Sequence, residues 1–236
     1  MSLELADVSY THPGTAPASG KLLEGLSLRV GAGEITGLGA PSGAGKSTLL
    51  RIAALMTPAD SGAVLVNGQV FAPGTPVPHR VRQSLGVVLQ SPRAAADPRL
   101  RLDALICAPL AIRDRTLRPQ PRRHAQRLAE LAEAVQLDPA LLRHYPHQVS
   151  DGQLQRAMVA RALALDPEVL ICDEPTAQLD AGTTAAILGL LSVRAAAGAA
   201  VLIASHDRAA LSRVAHTMVD LVEINGIGGR RVGHAP

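Results

Sequence analysis

Apolar and polar residues alternate in several segments of the first third of the chain. The alternation covers residues 3–10 and 26–30, and it is typical of strands with one buried face. Residues 11–20, between them, are rich in Pro, Gly and Ser and indicate a turn. Residues 63–66 indicate a further strand, followed by Asn67-Gly68, a dipeptide favoured in tight hairpins. The pattern therefore predicts a small antiparallel sheet near the N-terminus.

Four other apolar segments predict short, buried strands. They cover residues 34–38, 85–89, 169–172 and 200–204. The last two do not alternate, which is typical of parallel strands covered on both faces. Segments of helical character lie between the strands, so the pattern predicts an α/β fold with a parallel sheet.

The predicted helices cover residues 48–55, 125–137 and 153–165. The second is amphipathic, because one face carries Leu128, Leu131, Ala132 and Val135. The third has Asp151 near its start and ends before Asp166-Pro167. We therefore expect residues from 91 to about 162 to form a helical insertion in the α/β fold.

Composition narrows the possible functions. The formal net charge of +3 is too weak to argue for DNA, and 1% aromatic residues makes base stacking unlikely, so we expect no nucleic-acid partner. Residues 113–123 carry five arginines, for which we expect a solvated loop rather than a specific anion site. Cys107 and Cys172 lie in unrelated contexts, which fits a reducing cytosol. Since no apolar run approaches the length of a membrane span, we expect any membrane role to come through a partner.

Residues 40–50, APSGAGKSTLL, have the pattern of a phosphate-binding loop between a strand and a helix. We expect backbone N–H groups of this loop to surround phosphates, Lys46 to reach the β- and γ-phosphates, and the Ser47 hydroxyl to bind Mg²⁺. The usual spacing has a glycine at Ala40; alanine fits there if its φ is negative and is strained if φ must be positive. The predicted nucleotide-binding residues are Ser42, Gly43, Ala44, Gly45, Lys46, Ser47 and Thr48.

Polar residues follow three of the predicted strands: the phosphate loop, Asp173-Glu174 and His206. Ligands of parallel sheets lie beyond the carboxyl ends of the strands, so Lys46, Ser47, Asp173, Glu174 and His206 are expected to share one cleft. Asp173 would hold Mg²⁺, largely through water, and Glu174 would polarise an attacking water molecule. The sequence therefore predicts a nucleotide-hydrolysing site.

Val149-Ser150-Asp151-Gly152-Gln153 resembles the Leu-Ser-Gly-Gly-Gln signature of the ATP-binding cassette (ABC) family. Gln90 matches the family's Q-loop glutamine, residues 177–180 its D-loop and His206 its switch histidine, so the resemblance covers nearly the whole chain. It implies a P-loop NTPase (RecA-like) core with a mostly parallel sheet, an N-terminal antiparallel β subdomain and an inserted α-helical subdomain. We expect one ABC ATPase domain, with its core at 1–90 and 163–224, its helical subdomain at 91–162 and a loose tail at 225–236.

The resemblance also implies a head-to-tail dimer with two ATP molecules at its interface. Each ATP would be held by the phosphate loop of one subunit and by Ser150, Gly152 and Gln153 of a second ATPase subunit, identical or different. Gln90 would sense Mg²⁺ and the attacking water, and His206 would contact the γ-phosphate. Asp180 would act across the interface.

Two positions depart from the family pattern. Asp151 replaces the first signature glycine and adds a carboxylate near a tetra-anionic ligand. As a helix cap it would direct its charge away from ATP, and the alternative is a weakened site. An aromatic residue near the N-terminus usually stacks on adenine in this family, and here His12 matches the position better than Tyr10, although either ring could stack.

Residues 91–110 and 145–148 resemble the corresponding segments of oligopeptide, dipeptide and nickel importers. This implies an ATP-hydrolysing importer subunit at the cytoplasmic face of the membrane, with multi-span permease subunits as partners and no direct contact with solute. Permease coupling helices would dock around residues 90–110. The chain ends before the cysteine-containing extension of long peptide-type subunits, so we expect a short member of that branch. The alternatives are a non-transport ABC ATPase, a regulatory subunit of a soluble complex, and a catalytically weak half of a heterodimer.

Overall fold

The computed structural model describes residues 1–12, 21–41 and 43–225. Most of the predicted turn at 11–20 and of the predicted tail at 225–236 therefore lies outside the described residues. The strands are β1 (Leu3–Tyr10), β2 (Leu23–Val30), β3 (Ile35–Gly39), β4 (Ser61–Val66), β5 (Gln69–Phe71), β6 (Leu85–Val88), β7 (Val169–Asp173), β8 (Ala200–Ala204) and β9 (Thr217–Asp220). The α-helices are α1 (Lys46–Ala53), α2 (His79–Gln83), α3 (Pro92–Ala95), α4 (Leu102–Arg113), α5 (Ala125–Ala134), α6 (Asp151–Leu163), α7 (Ala181–Ala196), α8 (Arg208–Leu211) and α9 (Leu221–Ile224).

The N-terminal sheet is antiparallel, as its alternating sequence predicts, with the strand order β2-β1-β4-β5. Leu5 lies opposite Leu28 on one side and Val64 on the other, and all three side chains are buried. Asn67 and Gly68 both have positive φ in the turn that joins β4 to β5. Strand β2 begins earlier than predicted because its first residue pairs with the last residue of β1.

The second sheet is parallel, with the strand order β6-β7-β8-β3-β9. Every residue of β3, β7 and β8 is buried, which explains why the sequences of these strands lack alternation. The segments that follow β3, β6, β7 and β8 all emerge at one edge of the sheet. The sequence pattern does not predict β9, because this edge strand is only four residues long and partly polar.

The helices between β6 and β7 share one hydrophobic core, to which α4 and α6 contribute most of their apolar residues. The predicted stripe of α5 is buried in it: Leu128, Leu131, Ala132 and Val135. Helix α6 begins at Asp151, earlier than predicted, because Ser150 provides its N-cap. Helix α1 belongs to a second core, together with the antiparallel sheet. Although this grouping agrees with a helical insertion, the boundaries at residues 90 and 163 remain predictions.

In the arginine-rich segment at 113–123, Arg113 ends α4 and the remaining residues form a surface loop. All five arginines are exposed, as the sequence predicts. Arg113 Nε donates a 3.0 Å hydrogen bond to Asp114, and His124 Nε2 lies 3.0 Å from the same carboxylate. The Arg113 hydrogen bond holds the pKa of Asp114 below its usual value. Part of the positive charge in this loop is therefore offset locally.

The described helices are short. The longest, α7, has 16 residues, fewer than the roughly 20 that a transmembrane helix requires. Within residues 1–12, 21–41 and 43–225, no helix is long and apolar enough to cross a bilayer.

Candidate functional site

The loop between β3 and α1 has the backbone geometry that its glycines permit. Gly43 has a φ of 80° and Gly45 a φ of 94°, both in the left-handed region that residues with a Cβ rarely adopt. Ala40 does not have a positive φ, so alanine is accommodated there without this strain. Ser42 lies outside the described residues. The loop therefore turns directly into the N-terminus of α1, as an anion-binding loop requires.

Lys46 is the first residue of α1, and its side chain lies against this loop. Its Nζ donates a 2.6 Å hydrogen bond to the carbonyl oxygen of Ala40, and only 7% of the residue is exposed. The first backbone N–H groups of an α-helix have no carbonyl partner within the helix, which leaves those of Lys46, Ser47 and Thr48 available for an anion. A buried ammonium group and a helix N-terminus thus place positive charge at the same point.

A cavity of about 470 Å³ lies at the edge of the parallel sheet where the strands end. The structure gathers there Lys46, Ser47, Asp173, Glu174 and His206, the five residues expected to share one cleft. The rest of the lining is formed by His12, Leu22, Pro41, Gly43, Gly45, Thr48 and Gln90. Four predicted site residues in the described part of the chain do not line it: Ala44, Ser150, Gly152 and Gln153. The cavity therefore combines the phosphate loop with the carboxylates but leaves out the signature.

Glu174 directly follows β7, adopts a left-handed φ of 51° and is 7% exposed. Ser205 Oγ donates a 3.3 Å hydrogen bond to its Oε2. Its Oε1 is buried, lies 3.5 Å from His206 Nε2 and has no hydrogen-bond partner among the described residues. A buried carboxylate oxygen without a donor is available to accept a hydrogen bond from water. The sequence did not single out Ser205, since a serine after a strand carries no distinguishing pattern.

Helix α6 contributes a buried glutamine to the same region. Gln155 is 1% exposed, and its Nε2 donates a 3.2 Å hydrogen bond to the carbonyl oxygen of Glu174. This bond holds the backbone at a residue whose positive φ is uncommon for a side chain other than glycine. The sequence pattern assigns no role to Gln155, because a glutamine in a helix is ordinarily exposed.

The signature segment forms the N-terminus of α6. Ser150 Oγ accepts a hydrogen bond from the Gln153 N–H at 3.2 Å, and Gln153 Oε1 accepts one from the Ser150 N–H at 2.9 Å. Asp151, for which a capping role was one of two alternatives, is therefore not the cap, because the serine hydroxyl already satisfies the free N–H group. A Cβ on Gly152 would lie 3.0 Å from the carbonyl oxygen of Gln178, which leaves little room for a side chain.

Asp180, in the predicted D-loop, caps α7. Its carboxylate accepts hydrogen bonds from the Thr183 N–H at 2.9 Å and from Thr183 Oγ1 at 2.7 Å. These bonds hold the pKa of Asp180 below its usual value. Asp180 is therefore an ionised cap that orders the start of α7.

A parallel sheet whose strand ends carry a phosphate loop and adjacent carboxylates defines the class of phosphate-loop α/β proteins. The sequence model of the ABC transporter family matches residues 23–177, and the chain belongs to this family. The ATP-binding cassette MJ0796, solved as a dimer in a post-hydrolysis state bound to ADP and Pi, aligns with a TM-score of 0.82 at 26% identity. The alignment covers 92% of this chain and 93% of that one. The predicted ABC ATPase fold is thereby confirmed.

The relatives of this chain include importer subunits. A protein of Brucella abortus (strain 2308) named as a peptide import ATP-binding protein is 36% identical over 215 residues, which are 88% of this chain and 64% of the relative. The oligopeptide transport ATP-binding protein OppF of Escherichia coli (strain K12) is 34% identical over 202 residues, covering 84% of this chain and 59% of OppF. The chain thus spans less than two thirds of the length of these curated relatives.

Proposed function

We propose that this chain is the ATP-hydrolysing subunit of an ABC importer and couples hydrolysis at a subunit interface to solute movement by membrane partners. The cavity that unites Lys46, Asp173 and Glu174, with one Glu174 oxygen lacking a donor among the described residues, carries the proposal. Family membership and the import function named for relatives support it.

ATP would bind with its phosphates at the N-terminus of α1. Lys46 Nζ would exchange the Ala40 carbonyl for β- and γ-phosphate oxygens, because a charge-assisted hydrogen bond to phosphate is stronger than one to a neutral carbonyl. The backbone of residues 42–48 would surround the same phosphates. We assign adenine stacking to His12, which lines the cavity, rather than to Tyr10, which packs on the core of the antiparallel sheet.

Three oxygen donors that suit Mg²⁺ line the same cavity: the Ser47 hydroxyl, the Gln90 amide and the Asp173 carboxylate. The donor set therefore fits the ion, and we assign these three residues to hold it. A bound Mg²⁺ would offset the negative charge that the phosphates carry during transfer.

Glu174 would act as the general base. Its Oε1 has no donor among the described side chains, so it is free to accept a hydrogen bond from the attacking water. Ser205 holds the other carboxylate oxygen and Gln155 holds the main chain, so the carboxylate is positioned before substrate binds. His206, next to Oε1 and on the cavity wall, would contact the γ-phosphate.

The hydrolytic site would be completed by a second ATPase subunit. Ser150, Gly152 and Gln153 lie outside the cavity that the phosphate loop lines, although the N-terminus of α6 can bind an anion. A head-to-tail dimer would bring this N-terminus to the γ-phosphate of the partner and exclude water from the site. The dimeric MJ0796 structure with ADP and Pi supports the presence of a second ATPase subunit.

A second cavity, of about 480 Å³, offers a docking surface for a permease subunit. It lies between β6 and the helices α2, α4 and α6, and Met56 and Ile112 on its wall are 52% and 61% exposed. Among the described residues that line it, His79, Arg82 and Arg161 carry or can carry positive charge and none is acidic. This surface fits a partner segment with apolar side chains and negative charge, at the cytoplasmic face of the membrane.

The names of the relatives favour a peptide as the transported solute, and a nickel ion or metal chelate is the alternative. In either case this subunit would not contact the solute.

The proposal is tested by ATP turnover and light scattering of the wild type and Glu174→Gln, together with any subunits that co-purify. We expect Glu174→Gln to bind ATP and accumulate as a nucleotide-trapped dimer while losing at least about a hundredfold in turnover. Glu133→Gln, at an exposed position on α5, is the matched control and should behave as wild type. Unchanged turnover in Glu174→Gln would contradict the assignment of the base.

Co-purification with multi-span membrane proteins supports an importer, whereas a stable complex without them supports a non-transport ABC ATPase.

A further inference from the structure

Arg93 links the segment after Gln90 to the signature segment. It lies in α3, and its Nη1 donates a 3.0 Å hydrogen bond to the carbonyl oxygen of Pro146. Its Nη2 donates a 3.1 Å hydrogen bond to the carbonyl oxygen of Val149. The same guanidinium forms an ion pair with Asp151. One side chain therefore contacts both the backbone before the signature and the carboxylate within it.

A second arginine reinforces the connection between α3 and α6. Arg161 Nη1 donates a 3.2 Å hydrogen bond to the carbonyl oxygen of Ala95, the last residue of α3. Arg93 thus joins α3 to the first turn of α6, and Arg161 joins α3 to the last turn of α6. Because α3 begins shortly after Gln90, which lines the nucleotide cavity, these bonds connect the segment after Gln90 to both ends of α6.

The carboxylate of Asp151 needs a counter-charge in the proposed dimer. At the first position of α6 it is favoured by the helix N-terminus, but that N-terminus would also face the tetra-anionic ATP of the partner subunit. The Asp151 and Arg93 side chains are 40% and 47% exposed, so the pair lies at the surface where a second subunit would bind. Arg93 both offsets this negative charge and directs the carboxylate towards α3.

We infer that Arg93 is a positioning residue for the composite ATP site, which it serves by neutralising Asp151 and holding the signature segment to the segment after Gln90. The inference rests on the proposed function, because it requires ATP between two subunits. It accounts for the aspartate at the glycine position of the signature: the added charge is compensated by an arginine 58 residues earlier in the chain.

A double-mutant cycle tests this inference in the assembly that hydrolyses ATP, whether the chain alone or the chain with its co-purified subunits. The cycle compares wild type, Arg93→Gln, Asp151→Gly and the double variant, with thermal unfolding as a check on folding. The ATP concentration for half-maximal turnover, kcat and the affinity of the single chain for a fluorescent ATP analogue are measured. Arg99→Gln is the matched control, because among the described residues Arg99 forms its ion pair with Asp97, two positions earlier on the same surface segment.

Arg93→Gln should raise the ATP concentration for half-maximal turnover about fivefold when Asp151 is present and less than about twofold when residue 151 is glycine. Analogue binding to the single chain should not change, because Arg93 does not line the nucleotide cavity. Equal effects of Arg93→Gln in both backgrounds, or no effect in either, would overturn the inference. If Arg93→Gln unfolds, Arg93→Lys replaces it, because lysine retains the positive charge. Arg93→Lys should raise the ATP concentration for half-maximal turnover by an intermediate factor, and this rise should again disappear when residue 151 is glycine.

The outcomes distinguish this inference from the proposed function. A wild type that neither binds nor hydrolyses ATP contradicts the proposed function and with it the inference. A wild type that hydrolyses ATP and depends on Glu174, but shows no coupling between Arg93 and Asp151, contradicts the inference alone.

Discussion

Gln155 Nε2 donates a 3.2 Å hydrogen bond to the carbonyl oxygen of Glu174, across 19 residues of sequence. Gln155 lies in the second turn of α6, whereas Glu174 follows β7 and lines the nucleotide cavity. The first turn of α6 would face the ATP of the partner subunit. A single helix therefore links the signature, which would serve one ATP site, to Glu174, the proposed base of the other.

Removal of this hydrogen bond should slow hydrolysis more than it weakens ATP binding. Gln155→Leu removes one of the two hydrogen bonds that the buried Glu174 carbonyl accepts, the other coming from the Ala177 N–H at 3.1 Å. The loss destabilises the fold by about 0.5–1.5 kcal/mol and loosens the proposed base. We expect kcat to fall about tenfold with little change in the KM for ATP, because a base acts in the chemical step rather than in binding. Gln126→Leu, at an exposed position on α5, is the control. A rise in KM at constant kcat would contradict this role.

Loss of the Lys46 ammonium should weaken ATP binding directly. Lys46 is buried at the phosphate loop, and a hydrogen bond from a charged donor contributes about 1.5–3 kcal/mol, so Lys46→Ala should lose at least about tenfold in affinity. Isothermal titration with a non-hydrolysable ATP analogue measures this loss. Arg51→Ala removes an exposed cation from the same helix and should leave the affinity unchanged. Equal affinities for wild type and Lys46→Ala would exclude the proposed phosphate contact.

Asp166 should make stability depend on pH under acidic conditions. Burial raises its pKa, but hydrogen bonds from Arg127 and Arg194 outweigh this effect and hold the pKa below the usual value. The ionised carboxylate therefore contributes stability that is fully present above about pH 4, the unfolded value, and is lost as the pH falls through the folded-state pKa. Because the carboxylate is half exposed, its contribution is at most about 1 kcal/mol.

Urea unfolding of wild type and Asp166→Asn between pH 3 and pH 7 measures this contribution. The difference in the free energy of unfolding should be constant near neutral pH and should shrink below about pH 4. Glu133→Gln controls for the general loss of one negative charge. If the difference in the free energy of unfolding did not change with pH, the charge of Asp166 would not be what stabilises the fold.

Both cysteine thiols should be unreactive in the folded protein. Burial raises the pKa of Cys107 to about 11 and that of Cys172 to about 12, so neither forms the reactive thiolate at neutral pH. An aromatic disulfide reagent at pH 8 should label neither residue until guanidinium is added, and then both. Rapid labelling of the folded chain would show that one thiol is accessible.

Elements that depend on local residue order can be recognised in the sequence. Gly45-Lys46-Ser47, after a predicted strand and at the start of a helix, defines the phosphate loop. Two apolar segments without alternation, one followed by Asp173 and the other by His206 after one intervening residue, define buried parallel strands with polar ends. Since parallel strands all end at one edge of a sheet, the meeting of these residues in one cavity could be predicted from the sequence.

The residues that support that site are set by the folding of distant segments onto one another. This folding brought Ser205, after β8, and Gln155, on α6, to Glu174. The pairing of Arg93 with Asp151 likewise joins separate segments of the chain. The Gln155 and Arg93 contacts arise from the packing of α6 against the sheet and of α3 against α6, and the Ser205 contact arises because β7 and β8 are neighbours in the parallel sheet. Such packing sets distances between residues far apart in sequence, and local periodicity and spacing carry no information about those distances.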